Sequence, residues 1–197
     1  MTLSRSALRP AAAALVALCC TLPPLQGCVP MIVAGTAQVA VSAGDPRSTG
    51  AQIDDQTIEI KVTTSAGSRW GNEVHLNVTS YNGIVLLTGE APSTVVQDEI
   101  TQLAKSTDRV RIVQNEMVIG PVTDLGARTN DTYITSKVKT RLLQEDQVKA
   151  LYIKVVTERS VVYLMGIVSR EEGNVAAQVA ATTSDVARVV KVFQYTN

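Results

Sequence analysis

One stretch of this chain is written twice. Asp55-Gln56-Thr57-Ile58, with Lys61-Val62 and Thr64 after it, returns as Asp131-Thr132-Tyr133-Ile134, Lys137-Val138 and Thr140 at an offset of 76. Past a one-residue insertion the offset becomes 77, and Val74, Leu76 and Val78 pair with Leu151, Ile153 and Val155. Leu87-Thr88-Gly89 then pairs with Leu164-Met165-Gly166, and Asp108 and Arg111 pair with Asp185 and Arg188. Self-similarity at a fixed period restricts the chain to two copies of one supersecondary unit.

Each copy reads as helix, strand, strand, helix, strand. In the first, Asp55 is expected to cap a helix running to about Ala66, with Ile58 and Val62 facing inward. Val74, Leu76 and Val78 alternate with His75, Asn77 and Thr79, the pattern of a half-buried strand. Asn82-Gly83 is a type I′ hairpin signal that returns the chain through Ile84 to Thr88. Pro92 opens a helix to about Thr107, and Val110 to Ile119 closes the unit. The second copy gives helix 131–145, strands 151–158 and 161–166, helix 170–183 and strand 186–195. Ser169 to Glu172 has the form of a capping box. Its hairpin turn, Arg159-Ser160, has no residue that takes positive φ cheaply, so a looser or different turn is expected.

Ahead of the repeats, Arg5 and Arg9 precede an apolar run from Ala11 to Leu22, too short to span a bilayer as a helix. Leu25-Gln26-Gly27-Cys28 follows, in the form of a bacterial lipobox. Cleavage before Cys28 would expose a cysteine for acylation, and two or three chains at roughly 0.8 kcal/mol per methylene hold a protein durably. The expected division is a signal peptide at 1–27, a tether at 28–53, a first unit at 54–120, a linker at 121–130 and a second unit at 131–197. A short helix over Met31 to Val41 also fits within the tether. Gly120-Pro121 to Gly126 is too short a boundary to let the units swing freely.

Lys plus Arg and Asp plus Glu each number 18, and loss of the leader would leave a charge of about −2, the wrong sign for a nucleic-acid binder. All three cysteines lie at or before Cys28, so no disulfide framework is available to the repeats. The sole histidine, His75, alternates with Val74 and Leu76 and is expected at the surface. No nucleophile–base pair, metal-ligand spacing or phosphate loop accompanies it. No catalytic residue, metal or cofactor is therefore expected, apart from covalent lipid such as palmitate on Cys28. Trp70, without an aromatic counterpart in the second copy, is expected to plug the edge of the first core.

The unit order, with Gly89 and Gly166 closing the hairpins, resembles the BON domain. Two such units behind a lipobox, with Asp45-Pro46-Arg47-Ser48, Asp54-Asp55 and Asn130-Asp131-Thr132, are similar to the dual-BON-domain outer-membrane lipoproteins of the DolP family. The resemblance implies an α+β fold of two tandem BON domains, each αββαβ with a three-stranded mixed sheet and two helices on one face. It implies a non-catalytic, lipid-anchored, periplasm-facing outer-membrane protein that supports envelope integrity and gathers at the division site. It further implies binding of anionic phospholipid, such as phosphatidylglycerol, through the first helix of the second domain, and a link to the outer-membrane protein assembly machinery. Val29 follows the cysteine where enteric lipoproteins retained at the inner membrane carry Asp, which agrees with an outer-membrane destination.

Read on its own, helix 131–145 places Ile134, Val138 and Leu142 toward a core, with Tyr133, Lys137, Thr140, Arg141 and Gln144 as an adjoining stripe. A ring at headgroup depth beside cations suits an anionic interface, and the same residues also fit a solvated face. The contact set expected from the resemblance is Tyr133, Ile134, Lys137, Lys139, Thr140 and Arg141, with Lys149 nearby. Where the family commonly has Trp this chain has Tyr133, a shallower anchor. On the sheet face away from the helices, Val156, Tyr163 and Met165 are too apolar for water. They are expected to pack on the first unit; the other reading makes them a self-association surface or the partner-binding surface of an adaptor or chaperone-like partner of assembly proteins.

Overall fold

The computed structural model describes residues 44–196. The leader, Cys28 with Val29, and the helix suggested over Met31 to Val41 lie outside the described residues.

Both repeats form the αββαβ unit. The first consists of α1 (Thr49–Trp70), β1 (His75–Tyr81), β2 (Ile84–Ala91), α2 (Thr94–Lys105), β3 (Ile112–Asn115) and β4 (Val118–Ile119). The second consists of α3 (Leu125–Leu143), β5 (Lys154–Glu158), β6 (Val161–Val168), α4 (Arg170–Ala181) and β7 (Arg188–Tyr195). In each sheet an antiparallel hairpin gains a parallel third strand, β3 and β4 on β2 and β7 on β6. The first closing strand is interrupted at Glu116-Met117. There Met117 donates its N–H to Asn115 Oδ1 at 2.9 Å and turns its side chain into the core.

Strand alternation sorts the apolar residues into three layers. Val85, Leu87 and Ala91 of β2 meet Ile58 and Val62 of α1 and Ile100 of α2 in one core. Val162, Leu164 and Val168 of β6 meet Ile134, Val138 and Leu142 of α3 and the alanines of α4 in another. The opposite faces meet each other, with Tyr81, Ile84 and Leu86 from the first repeat against Tyr163 and Met165 from the second. Val156 is partly buried against that seam. Polar contacts rim it: Asn82 donates to Gln194 at 2.9 Å, Lys154 to Glu59 at 2.8 Å, and Tyr81 to the Tyr152 carbonyl at 3.0 Å.

Both leading helices start earlier than expected. The cap of α1 is Ser48, whose Oγ accepts from the Ala51 N–H at 3.1 Å, and that of α3 is Asp124, which accepts from Ala127 at 2.9 Å. The expected tether therefore ends in ordered chain, and the expected linker contributes the first turns of α3. Asp55 and Asp131 sit inside their helices and do a different job. Asp55 accepts the N–H groups of Asn82 and Gly83 at 2.7 and 2.9 Å, the Ser80 hydroxyl at 2.6 Å and Arg47 at 2.9 Å. Arg47 also lies 3.9 Å above the Tyr81 ring, so the Asp45-Pro46-Arg47 stretch belongs to the first repeat. Asp131 likewise accepts from Arg159 and Ser160, each at 2.8 Å.

That carboxylate explains the second hairpin. Arg159 and Ser160 both adopt positive φ, 51° and 61°, as Asn82 and Gly83 do in the first. The turn is thus of the same kind, because two charge-assisted bonds hold a conformation that side chains otherwise resist by about 1–2 kcal/mol each. Ser169 caps α4 by accepting from Glu172, but the Glu172 carboxylate receives the Lys149 N–H instead of closing the capping box. Leu151, expected in a strand core, lies in a 3-10 turn and is 77% exposed.

The seam has a consequence at high pH. Burial pushes the phenols of Tyr81 and Tyr163 up to about 12. Since the folded value exceeds the unfolded one of about 10, the stability they lend is complete below pH 10 and is lost as pH rises toward 12. In a tyrosinate absorbance titration, two of the five tyrosines should ionise last, together with loss of the fold. Five phenols titrating together near 10 on a folded protein would contradict this.

Candidate functional site

Helix α3 packs Ile134, Val138 and Leu142 into the second core and leaves its other faces outward. Ile134, expected among the lipid contacts, is 0% exposed, so it belongs to the core and cannot reach an external surface while the repeat is folded. Tyr133 is 60% exposed. Lys137 lies one turn on, its Nζ 4.6 Å from the Tyr133 ring centre. The ammonium also donates to the Ser184 carbonyl at 2.9 Å, to Ser184 Oγ at 3.0 Å and to Asp185. The Lys137 hydrogen bond, and then its charge, holds the Asp185 carboxyl below the usual range.

Arg141 crosses to the end of α4, donating to the Val179 carbonyl at 3.0 Å and to Thr183 and Thr182 at 2.8 and 3.0 Å. Thr140 is exposed and donates to the Ser136 carbonyl within its own helix. Lys139 is exposed and has no ion pair among the described residues. Between α3 and the α4 terminus lies an open groove of about 610 Å³, walled by Tyr133, Lys137, Thr140 and Arg141 on one side and Thr182 to Ser184 on the other. Sequence reading missed that second wall. Its only clue was the repeat-paired Asp185, since Lys61 and Asp108 form the matching pair in the first repeat at 3.7 Å.

The two copies diverge around that shared lysine. Where the second carries Tyr133, Lys139 and Arg141, the first carries Thr57, Thr63 and Ser65. The groove thus combines an exposed ring, a lysine already matched by an aspartate and an arginine anchored on hydroxyls, while the unmatched Lys139 stands on the same helix outside the groove's walls. Such a surface suits a diffuse anion with apolar matter beside it.

His75 does not lie at the surface. Its side chain is 13% exposed and its Nδ1 is 2.9 Å from Glu90 Oε2, because the second repeat covers the strand face on which it stands. Val156, Tyr163 and Met165 are occupied by the seam, so the sheet face that an adaptor would have used is not open. Trp70 is half-buried against the first core, with Arg69 4.8 Å above its ring. Among the described residues no helix is long and apolar enough to cross a membrane.

The chain matches the BON domain over residues 54–121 and 130–197. It is 40% identical over 173 residues to the outer membrane lipoprotein DolP of Haemophilus influenzae, covering 87% of this chain and 90% of that one. A 21 kDa hemolysin of Actinobacillus pleuropneumoniae is 37% identical over 153 residues, covering 77% of this chain and 79% of its own. The osmotically-inducible protein Y of Escherichia coli is 26% identical over 142 residues, 71% of either chain.

Proposed function

This chain belongs to the DolP family of dual-BON-domain proteins, and we propose that it is a non-catalytic, periplasm-facing lipoprotein of the outer membrane whose second domain docks on anionic phospholipid. The observation that carries the reading is the asymmetry of the two leading helices: one fold twice, with an exposed tyrosine and an unmatched cation on the leading helix of only the second copy. Acylation at Cys28 would hold the repeats beside a bilayer, and the groove on α3 would meet headgroups. A cation near an anionic surface contributes about 1 kcal/mol. Lys139 supplies this in full, whereas Lys137 supplies less because Asp185 already faces it. The family likeness supports a place in envelope integrity at the division site and a link to outer-membrane protein assembly.

The test uses a Cys28→Ser chain, which lacks the acyl anchor, sedimented with phosphatidylcholine vesicles with and without phosphatidylglycerol. Binding should require phosphatidylglycerol. Tyr133→Ala combined with Lys139→Glu should weaken it at least tenfold, since the charge reversal alone removes about 2 kcal/mol. Thr63→Glu, at the matching position of the first repeat, should leave it unchanged. Vesicle binding that is indifferent to the α3 pair would defeat the reading.

A further inference from the structure

A polar corner lies where the two repeats meet. His75 on β1, Glu90 on β2 and Glu158 on β5 bring an imidazole nitrogen and two carboxylate oxygens within 4.8 Å of one another. His75 Nδ1 stands 2.9 Å from Glu90 Oε2 and 3.9 Å from Glu158 Oε1. Donors bound to one metal at about 2.1 Å are roughly 3–4 Å apart, so only a small contraction separates this arrangement from a coordination shell. Both carboxylates are buried, Glu90 completely.

The surroundings orient these groups as an outer shell would. Thr123 donates its N–H, at 3.1 Å, and its hydroxyl to Glu90. Asn77 donates to Glu158 Oε2 at 2.7 Å, which leaves Oε1 toward the imidazole. The Thr88 hydroxyl, on the same face of β2 two residues before Glu90, is buried without a partner among the described residues. Cationic compensation is thin: Arg159 approaches Glu90 only to 3.6 Å and is half-exposed. Two carboxylates removed from water are costly unless positive charge accompanies them. A cavity of about 310 Å³, bounded by His75, Asn77, Arg128, Asp131 and Glu158, borders the cluster and has room for an entering ion; Arg128 there donates to the Thr123 carbonyl at 3.0 Å.

We propose that His75, Glu90 and Glu158 form a site for a divalent first-row metal of the zinc class, which ties the second repeat to the first. One imidazole with two carboxylates suits zinc and its neighbours; the nitrogen disfavours magnesium and calcium, and the absence of sulfur in this donor set disfavours cuprous ion. The ligands come from both repeats, so the metal would act on the seam and leave the α3 groove untouched.

The sole histidine makes the site directly observable. The full chain, without an affinity tag and with its thiols blocked, is titrated with zinc chloride while the ring nitrogens are followed by NMR. Zinc should shift the Nδ1 resonance of His75, saturate at one ion per chain and raise the melting temperature; magnesium should do neither. Glu158→Gln, which keeps shape and removes charge, should weaken zinc binding at least tenfold, as should His75→Ala, whereas Lys105→Glu, at the exposed end of α2, should bind as the parent does. A histidine resonance unmoved at saturating zinc, leaving a hydrogen-bonded cluster only, would overturn the proposal. So would a shift to which Glu158→Gln is indifferent.

Discussion

Asp55→Ala is expected to lower the free energy of unfolding by about 3–5 kcal/mol, the range for breaking a buried charged network by removing one partner. The carboxylate is nearly inaccessible and accepts from two backbone N–H groups of the hairpin turn, from Ser80 and from Arg47. Alanine leaves those donors without a partner, each at about 1–3 kcal/mol where water cannot reach. It also strands Arg47 against Tyr81, though Asp45 still pairs with it at 2.8 Å. Asp55→Asn keeps one acceptor oxygen and should fall between parent and alanine. Asp131→Ala removes only two backbone acceptances, yet it releases a turn that has no glycine to tolerate positive φ, so a comparable loss is expected. Urea denaturation of the three variants decides. A loss below about 1 kcal/mol for Asp55→Ala would mean that the carboxylate does not hold the turn.

These aspartates also mark where the sequence stops being readable. The repeat and the alternation of Val74, Leu76 and Val78 were legible because periodicity reports burial directly. The helix starts were not, because an aspartate before an apolar run has the appearance of a cap. Asp55 and Asp131 are instead bound to turns 27 and more residues away, a relation that no local signal carries. The true caps, Ser48 and Asp124, are themselves 76 apart, so extending the repeat backward would have found them. His75 failed for a related reason. Period-two alternation says only that it points away from its own helices, and the other repeat covers that side. In α3, Tyr133 and Lys139 were legible as an outward face, but the threonines at the end of α4 join the groove only through the fold.

Met165→Lys should uncouple the repeats. Met165 is fully buried at the centre of the seam, between Tyr163 and the first repeat's Tyr81, Ile84 and Leu86. Truncating such a methionine costs about 2–5 kcal/mol, and placing an ammonium there adds the penalty of an unpaired buried charge. Each repeat keeps its own core, since Val162 and Leu164 face the helices and Met165 does not. The damage should therefore fall on the contact between repeats rather than on either fold. One cooperative unfolding transition in the parent should become two in the variant, with hydrogen exchange accelerated first at the seam-facing strands. The rim bonds, Asn82 to Gln194, Lys154 to Glu59 and Tyr81 to Tyr152, are only partly buried and are not expected to hold the faces together alone. Met165→Leu, which conserves volume, should stay within about 1.5 kcal/mol of the parent and keep a single transition. If Met165→Lys unfolds as the parent does, the sheets are not held by this apolar contact. The Tyr133 groove, which lies on the helix side of the second repeat, should bind lipid equally well in either variant, because no residue of that groove takes part in the seam.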